Sequence, residues 1–388
     1  MVRQQHIVIV GAGIVGLSTA YSLLTRGVHN VTILEQETVD HIRSSSHGFS
    51  RLLRFEYGSD AFYSHMVRSS LKRWKNLEYR TGQTLYTSTG LLMLGNDDDR
   101  DTLSSYRVVR EMGLPIERLS QDACASRFPQ FDRRPYNLCL YNQEAGILHA
   151  STILQTLRDL ILDLGGEIYE SCRVTRITNE NQYYPIRLHL SSGQAIQADR
   201  IVLAAGPWIH RLLPHLYLPV RITRQYLIYF SGLPISDYST GTFPAFIAGD
   251  IYGFPIHQGC NSWVKATSHT FGVPIDPDNI ALQDNQVISS ISAQIRELLP
   301  ALQHAEIARV DSCMYDVSPD EDFILDRLPS DPRIIVATGL SGHAFKFGLL
   351  LGDILNSLVS NTEPPVPLDR FRLSRFSHAL SQQKSSVA

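Results

Sequence analysis

Four clusters in this sequence bring together side chains that could do chemistry, and the first is His47 with Arg51 and Arg54. The two arginines lie three residues apart in a segment, residues 44–54, that is rich in serine and glycine. Arginine binds carboxylates and phosphates through a planar fork of hydrogen-bond donors. Spacing alone leaves two interpretations open, an anion-binding pair and an ordinary surface salt-bridge pair.

The second cluster contains Lys265 and His269, which follow a Tyr-Gly-Phe-Pro sequence that begins at Tyr252. Residues 263–265 alternate in the manner of a strand, so Lys265 should share a face with Trp263. Trp263 is an unusual neighbour for a solvated lysine. From sequence alone, a surface lysine that keeps its apolar stem on the protein and its charge in water is the simpler interpretation.

The third and fourth clusters lie towards the C-terminus. Cys313 stands in a strand-like segment and is either a buried structural thiol or one that faces a ligand. Residues 339–348 form a glycine-rich turn that carries His343 and Lys346 and opens a helix. Backbone donors and a cation at a helix N-terminus suit an anion or an electron-rich ring edge. The turn is therefore predicted to be functional, since a plain helix cap needs neither side chain.

The elements that would position these side chains begin at the N-terminus. An apolar run over residues 6–10 enters the glycines of a GxGxxG motif, Gly11, Gly13 and Gly16, and an amphipathic helix follows. In a dinucleotide-binding fold these glycines allow a tight turn, the approach of a pyrophosphate and close packing of helix on strand. A second strand at 31–34 ends at Glu35, where an acidic residue should meet a ribose hydroxyl. This order of elements predicts a bound dinucleotide.

Composition limits the class of protein. The chain has 388 residues, 43% of them hydrophobic, which is too long for one ordinary core and predicts two domains. A net charge of -3 implies no nucleic-acid partner. The five cysteines have no regular spacing, so neither a disulfide framework nor a metal site is expected. We expect no signal peptide and no membrane span, and hence a cytoplasmic protein.

The order of predicted elements indicates an α/β fold. Buried strands at about 200–206 and 333–339 each run into a small residue, as is typical of parallel strands that end at a ligand. Residues 1–85, 146–214 and 310–388 should form one discontinuous nucleotide-binding domain of Rossmann type. Residues 86–145 and 215–309 should form a second, α+β domain with an antiparallel sheet, and the substrate should lie between the two.

Helices are predicted at about 62–80, 148–164 and 349–358, and residues 102–128 should be helical with loops. Short strands are predicted at 173–178 and 186–190.

Together these motifs resemble the monomeric sarcosine oxidase family, which includes N-methyltryptophan oxidase, pipecolate oxidases and fructosyl-amino-acid oxidases. The resemblance covers nearly the whole chain. Besides GxGxxG, it rests on SxHGxxRLxR at 45–54, YGFP at 252–255, KxxxHTFG at 265–272, CMYxxSPDEDFILD at 313–326, GLSGHAFKF at 339–347 and FRLSRF at 371–376.

The resemblance implies a flavin oxidase with a Rossmann-type FAD-binding domain. The family attaches FAD through its 8α-methyl group to a cysteine, which here matches Cys313. It takes a hydride equivalent from the carbon next to a secondary amine, forms an imine, and passes two electrons to O₂ to give hydrogen peroxide. The implied partners are a small amino acid and O₂, and the implied state is a monomer.

The resemblance also implies roles for the substrate-site residues. Arg54 and Lys346 would bind the substrate carboxylate by charge-assisted hydrogen bonds. Tyr252 and His269 would line the substrate pocket. No strong base is needed, because the neutral amine is oxidised, and a cationic pocket lowers the amine pKa.

Further roles concern the flavin. Lys265 matches the lysine that activates oxygen, since a fixed positive charge stabilises superoxide. Arg51 and His47 would pack against the flavin ring and stabilise its reduced anion. The full set of predicted cofactor contacts is Gly11, Gly13, Gly16, Glu35, Gln36, His47, Ser50, Arg51, Val174, Ala205, Gly206, Cys313, Gly342, His343 and Lys346.

The chain departs from the family pattern at several places. Ser46 replaces a second histidine, residues 48–50 read Gly-Phe-Ser where Gly-Asp-Thr is common, and Ala344 replaces a frequent glycine. The segment 243–252 looks shortened, as if part of a hairpin over the substrate were missing. The short hairpin puts substrate identity in doubt and could open the pocket to something larger than sarcosine.

Alternative functions remain open at this point. A flavin dehydrogenase with a non-oxygen acceptor would not need Lys265, and a fructosyl-amino-acid oxidase would share the carboxylate site. A flavin-binding protein without turnover would have no use for the pair Arg54 and Lys346. An NAD-dependent enzyme would leave Cys313 and the 339–347 turn without a role.

Overall fold

The computed structural model describes residues 5–216, 218–279 and 283–376. In these ranges the α-helices, numbered in chain order, are α1 (Ile14–Thr25), α2 (Ala61–Thr81), α3 (Arg100–Glu111), α4 (Gln121–Arg127), α5 (Ala150–Asp163), α6 (Ile209–Leu212), α7 (Ile235–Tyr238), α8 (Asn285–Leu298) and α9 (Gly348–Ser360). None of the helices in these ranges is both long and apolar enough to cross a lipid bilayer.

The strands in the same ranges, also numbered in chain order, are β1 (Ile7–Val10), β2 (Val31–Leu34), β3 (Ser50–Leu53), β4 (Tyr86–Thr87), β5 (Leu91–Gly95), β6 (Ile116–Leu119), β7 (Leu138–Asn142), β8 (Gly146–His149), β9 (Glu167–Tyr169), β10 (Val174–Thr178), β11 (Ile186–Leu190), β12 (Ala195–Ala198), β13 (Arg200–Leu203), β14 (Arg221–Ser231), β15 (Ala245–Ala248), β16 (Ile251–Phe254), β17 (Val264–Ser268), β18 (Glu306–Val317), β19 (Ile324–Leu328) and β20 (Asp331–Thr338).

A six-stranded sheet in the order β19-β20-β13-β1-β2-β9 carries the glycine motif. All its neighbours are parallel except the antiparallel pair β19 and β20. Ile7 and Ile9 face a core that includes residues of α1, α5 and α9, while Val8 and Val10 face the small sheet of β10, β11 and β12. Because both faces are covered, the strand needs an unbroken apolar run.

An eight-stranded sheet in the order β18-β14-β17-β16-β15-β5-β7-β6 forms the other half. It is antiparallel apart from the parallel pair β15 and β5. Strand β18 pairs with β14 from Arg221↔Val317 to Ser231↔Glu306, so it crosses the domain boundary that the sequence predicted at residue 310. Cys313 therefore stands on the eight-stranded sheet, because the long pairing with β14 continues through it.

The polar segment 44–54 joins the two halves. Its last part is β3, which pairs with β8. The hydroxyl of Ser46 accepts a hydrogen bond from the backbone N–H of Ile14 at 3.0 Å, at the start of α1. The carbonyl of Ser50 accepts one from Lys265 Nζ at 2.8 Å, on the eight-stranded sheet. A segment that is too polar for a core element is thus held by contacts with both sheets.

Most predicted elements agree with the structure, with two differences. The helix predicted at 148–164 begins only at Ala150, because the preceding residues form β8 and pair with β3 and β4. The predicted helical stretch 102–128 is interrupted by β6, which pairs with β7 at the edge of the large sheet. In both places a strand partner distant in sequence overrides the local helical pattern.

Candidate active site

The glycine motif shapes the turn between β1 and α1. Gly11 has a φ of +105°, and a Cβ at this position would lie 2.4 Å from the carbonyl oxygen of Ala204. A Cβ on Gly16 would lie 1.9 Å from the carbonyl oxygen of Gly11. Any side chain would force the backbone apart at either position. The motif therefore lets α1 pack on the turn and lets the turn approach the end of β13.

Glu35 follows β2 and faces the same turn. Its carboxylate accepts hydrogen bonds from the backbone N–H of Ala12 at 2.7 Å and from that of Glu37 at 3.0 Å. Burial raises the pKa of Glu35, although the backbone donors favour its ionised form. A carboxylate acceptor is thus fixed where the sequence predicts the ribose contact.

A cleft runs from this turn along the C-terminal ends of β1, β2 and β13, the edge of a parallel sheet where ligands bind. It extends as far as Leu340. Seven of the predicted cofactor contacts line it: Gly11, Gly13, Glu35, Gln36, Val174, Ala205 and Gly206.

A second cavity, of about 790 Å³, begins at the next residue, Ser341, and lies against the eight-stranded sheet. The structure brings together here nine of the predicted site residues: Arg51, Arg54, Tyr252, Lys265, His269, Cys313, Gly342, His343 and Lys346. These residues come from five separate parts of the chain.

Three predicted cofactor contacts lie outside both linings. Gly16 is packed beneath the turn. His47 is directed to Asp40 instead, with its Nδ1 2.9 Å from both the carbonyl oxygen and the carboxylate of that residue. The hydroxyl of Ser50 is buried and has no hydrogen-bond partner among the described residues.

Lys265 is buried in the second cavity, with only 4% of its surface exposed. Its Nζ donates to the Ser50 carbonyl at 2.8 Å and lies 4.4 Å from the centre of the Phe254 ring. Burial lowers the pKa of Lys265 well below its usual value, and the charge of Arg51 lowers it further. The residue is therefore a desolvated cation without a carboxylate partner at ion-pair distance in the described ranges.

Arg51 stands close by and is held by backbone carbonyls. Its guanidinium donates to the carbonyl oxygens of Ser45 and Ser50 at 2.9 Å and also to that of His47. It lies 5.5 Å from the centre of the Phe345 ring. Neutral acceptors fix its position but leave its positive charge uncompensated.

Arg54 and Lys346 meet at one tyrosine. The Arg54 guanidinium lies 4.7 Å from the centre of the Tyr57 ring, and Lys346 Nζ donates to the Tyr57 hydroxyl at 2.8 Å and to the His343 carbonyl at 2.9 Å. Burial lowers the pKa of Lys346 well below its usual value, and Arg54 adds to this. The described residues place no carboxylate within ion-pair distance of either cation. Two close cations of this kind favour an anionic ligand.

Cys313 lies on β18 and faces the cavity. Burial raises the pKa of its thiol, whereas the positive charges of Arg51 and Lys265 oppose that rise. Tyr315, two residues on, lines the same cavity and lies close to the hydroxyl of Tyr252, whose pKa burial raises. The two cations therefore limit the rise in the thiol pKa that burial causes, and they lie on the side from which a ligand would approach.

The turn of the β15–β16 hairpin also lines the cavity. The two strands are joined by only Gly249 and Asp250. His269 stands beside this turn, half exposed, with Nε2 3.2 Å from the Gly249 carbonyl and 3.6 Å from the Asp250 carboxylate. His343, by contrast, is half-buried, and desolvation of its ring lowers its pKa to about 3.

Sequence reasoning missed several cavity residues. Tyr57 connects the two predicted carboxylate ligands, and its position three residues after Arg54 carried no signal of that contact. Tyr315 could have been found, because residues two apart on a strand share a face and Cys313 was already singled out. Glu56 is fully buried, accepts from the Asn142 amide at 2.6 Å, and has its pKa raised by burial.

The residues fit a flavin dinucleotide on observations of their own. The first cleft has a backbone turn that only glycine can form and a carboxylate beside it. The second cavity has a buried cation, Lys265, and a half-buried one, Arg51, that would stabilise negative charge on a ring. Because the two are lined by the consecutive residues Leu340 and Ser341, one extended ligand can reach from one to the other.

Comparison with known proteins gives the same assignment of fold. A family model described as FAD dependent oxidoreductase matches residues 6–358. Human peroxisomal sarcosine oxidase is 32% identical over 381 residues, covering 95% of this chain and 95% of its own. N-methyl-L-tryptophan oxidase of Yersinia pestis is 29% identical over 382 residues, covering 95% and 99%.

Among solved structures, this chain resembles NikD, described as an unusual amino acid oxidase essential for nikkomycin biosynthesis. The TM-score is 0.81 with 21% sequence identity, over 95% of this chain and 97% of that one. At this identity the likeness concerns the fold.

Proposed function

The chain belongs to the FAD-dependent oxidoreductases and, within them, to the sarcosine oxidase family, and from this premise we propose that it oxidises a secondary amino acid, N-methylated or cyclic. The C–N bond becomes an imine, which water hydrolyses, and O₂ is reduced to hydrogen peroxide. FAD is the cofactor of the family.

One observation carries the proposed substrate class, the pair of cations at Tyr57. Arg54 and Lys346 provide charge-assisted donors on one side of the cavity, and no carboxylate in the described ranges is at ion-pair distance from them. An amino acid carboxylate would satisfy both and fix the orientation of the rest of the molecule. Catalysis then depends mainly on positioning, because a held substrate presents one C–H bond to the cofactor.

Bound FAD would supply the acceptor for the hydride equivalent that leaves the substrate carbon. The protein keeps the amine neutral, since the surrounding cations Arg51, Arg54 and Lys346 disfavour an ammonium in the same cavity. Tyr252 and His269 line the side on which the amine and its substituents would lie. Lys265 lies in the same cavity and would stabilise negative charge that develops on O₂.

A screen for amines that cause the enzyme to release hydrogen peroxide tests this function. Purified enzyme is mixed with sarcosine, N-methyltryptophan, pipecolate and a glycated amino acid, with and without air. We expect at least one compound to bleach the visible flavin band without air and to release hydrogen peroxide with air. The amide of the same compound, which lacks the carboxylate, should fail at equal concentration. A cofactor-replete enzyme that none of these amines bleaches would refute the proposal.

We further propose that FAD is attached covalently to Cys313. The residue faces the cavity beside Arg51 and Lys265, whose positive charges oppose the rise in the thiol pKa that burial causes. Acid precipitation of the wild-type enzyme should therefore leave the pellet yellow, and Cys313→Ala should release the colour to the supernatant.

The matched control for this experiment is Cys260→Ala. Cys260 is also buried, but its Sγ accepts from the His257 N–H at 3.0 Å, and it lines neither cavity. Its pellet should stay yellow. A colourless wild-type pellet, or a yellow Cys313→Ala pellet, would contradict covalent attachment at this residue.

A bulky substrate is the favoured subclass. The cavity of about 790 Å³ must hold a flavin ring and a substrate, and it is lined by a two-residue hairpin turn and by the half-exposed side chain of His269. A fructosyl or aromatic amine would fit these features better than sarcosine. The alternative is a dehydrogenase that passes its electrons to an acceptor other than O₂. The Lys265→Met variant described in the Discussion distinguishes the two.

We also retain three further proposals that rest on the sequence. The chain acts as a monomer, and it acts in the cytoplasm. Its FAD-binding domain comprises residues 1–85, 146–214 and 310–388, and its substrate-binding domain comprises residues 86–145 and 215–309.

A further inference from the structure

Two cysteines that line neither cavity are in contact with each other. Cys124 lies on α4 and Cys139 on β7, next to the edge strand β6 of the eight-stranded sheet. Both side chains belong to an apolar cluster that also contains Phe128 and Tyr141. Both are free thiols, and the Cys124 thiol donates a hydrogen bond to the Cys139 sulfur. The proposed function gives no role to this thiol pair.

Polar groups surround the Cys139 sulfur within this cluster. The amide Nε2 of Gln121 donates to it at 3.7 Å, and the Gln121 carbonyl accepts from Arg133 Nη1 at 2.9 Å. The Nε of Arg133 is buried and has no hydrogen-bond partner among the described residues. An amide donor, a guanidinium and a second thiol are not needed to pack a sulfur among apolar side chains. They are the groups that stabilise a thiolate.

These surroundings move the pKa values of the two thiols apart. The hydrogen bond from Cys124 lowers the pKa of Cys139, and the charge of Arg133 and the amide of Gln121 lower it further, against the effect of burial. The same hydrogen bond and burial both raise the pKa of Cys124. Cys139 is therefore the member of the pair that becomes the thiolate, and Cys124 is the member that keeps its proton.

A single short helix separates the pair from solvent. Cys124 is the one buried residue of α4, whose other residues are half-buried or exposed. Cys139 is 1% exposed and stands one strand from the edge of the sheet. Segments that bury few apolar side chains open locally at low cost. We therefore expect a molecule as small as hydrogen peroxide to reach both sulfur atoms when this helix opens.

We propose that Cys139 and Cys124 form a site of reversible oxidation, at which hydrogen peroxide converts the two thiols into a disulfide. The chemistry itself needs only peroxide from any source. The source that we assign to it, turnover of this enzyme, rests on the proposed oxidase function.

Atoms and electrons balance in two steps. The Cys139 thiolate attacks one oxygen of peroxide, the O–O bond breaks, and a sulfenic acid and hydroxide form. The Cys124 sulfur then attacks the sulfenic sulfur, the S–O bond breaks, and the oxygen leaves as water with the Cys124 proton. The two thiols thus lose two electrons, and peroxide is reduced to two waters. Sulfur atoms already in contact need only a small shift to reach the bond length of about 2.0 Å.

The test uses the holoenzyme and added peroxide, with no amine present. The enzyme is reduced with dithiothreitol, freed of it, treated with hydrogen peroxide, alkylated and digested for mass spectrometry. We expect one peptide pair that joins Cys124 to Cys139, is lighter than the reduced pair by two hydrogen atoms, and is separated by dithiothreitol. Cys172, which is half-buried, should still be alkylated. If Cys172 is oxidised while both members of the pair remain alkylated, the proposal is overturned.

Two variants assign the order of the steps. In Cys124→Ala the sulfenic acid on Cys139 should persist and be trapped by dimedone, whereas Cys139→Ala should leave Cys124 as an alkylated thiol. Cys260→Ala is the matched control, since Cys260 is also buried but its sulfur accepts from the His257 N–H. It should form the same disulfide as the wild type. Dimedone labelling of Cys124 in Cys139→Ala, without labelling of Cys139 in Cys124→Ala, would refute Cys139 as the thiol that attacks peroxide.

The rate of disulfide formation tests the cation. Arg133→Met should slow it about 3- to 10-fold, because a smaller fraction of Cys139 is then thiolate. Arg134→Met is the control: Arg134 is the next residue, but its side chain is 89% exposed and pairs with Asp132. It should react at the wild-type rate. Equal slowing in the two variants would contradict the effect assigned to Arg133.

Added peroxide keeps these results separate from the substrate screen, because an enzyme that oxidises no amine can still form the disulfide. With an amine that the screen identifies, turnover in air should form the same disulfide without added peroxide, and catalase should prevent it. If turnover releases as much peroxide as suffices when added and no disulfide appears, the product of this enzyme is not the oxidant.

Discussion

Replacement of Lys265 by methionine is expected to slow the reaction of the reduced enzyme with O₂ about 10²–10³-fold, the usual loss when one fixed electrostatic stabiliser is removed. The first electron transfer to O₂ creates an anion, and a desolvated ammonium in the same cavity lowers the energy of that state. Methionine keeps an apolar stem of similar length against the Phe254 ring. Packing is therefore retained while the charge is lost.

The pH dependence of this step gives a second check on Lys265. Burial and Arg51 lower the pKa of the ammonium, so the charged form is lost at a lower pH than for a solvated lysine. The oxygen reaction of the wild type should accordingly slow as pH rises through that pKa. The same reaction of Lys265→Met should not show this decline. Stopped-flow mixing of the reduced enzyme with O₂ across the pH range measures both.

The control distinguishes a local charge effect from general damage. Lys75→Met removes an exposed lysine whose Nζ lies 5.8 Å from the Tyr86 ring, far along the chain from the cavity residues. It should change neither half-reaction. Reduction of Lys265→Met by substrate without air should stay within a few-fold of the wild type. If Lys265→Met reacts normally with O₂, oxygen is not activated at this residue, and the dehydrogenase alternative with another acceptor gains support.

The fold was predictable where local pattern and tertiary packing agree. The first βαβ unit follows from an apolar run, three glycines and a second apolar run, and the second strand lies at Val31–Leu34 as predicted. The sequence pattern did not predict strands whose pairing partner is distant in sequence. Residues 306–317 form one long strand because they pair with β14, about ninety residues earlier, and no local periodicity reveals that register.

The same limit applies to the site. Arg54, Lys265, Cys313 and Lys346 were predicted from their types and from the family resemblance, and the structure brings them to one cavity. Tyr57 could not be singled out, because its contacts with Arg54 and Lys346 depend on tertiary packing. Phe49 stands where the family often has aspartate. The structure packs it on Tyr229, and Asp311 provides a carboxylate to the same surroundings.

Replacement of Arg54 by methionine is expected to cost about 2–5 kcal/mol of transition-state binding, the usual range for a truncated partner in a buried charge pair. That corresponds to a loss of roughly 30- to 5,000-fold in kcat/KM. The reason is that the substrate carboxylate would keep only Lys346. Steady-state rates with the best amine from the screen measure the loss. Arg110→Met is the control, since Arg110 also stacks on a tyrosine, Tyr106, but is exposed.

Proton uptake on ligand binding tests whether Lys346, the cation that remains in Arg54→Met, binds the carboxylate. Burial lowers the pKa of Lys346, and Arg54 lowers it further, so the free enzyme loses the charged form at a lower pH than a solvated lysine would. A bound carboxylate favours the charged form and raises that pKa. Binding of a simple carboxylate inhibitor should therefore take up protons, and its affinity should fall as pH rises from the pKa of the free enzyme to that of the complex. Calorimetry in buffers of different ionisation enthalpy counts these protons.

In Lys346→Met the uptake should vanish. In Arg54→Met it should shrink, because one of the two causes that lower the Lys346 pKa is removed and the pKa changes less when the anion binds. Equal uptake in all three proteins would place the carboxylate somewhere other than at Tyr57.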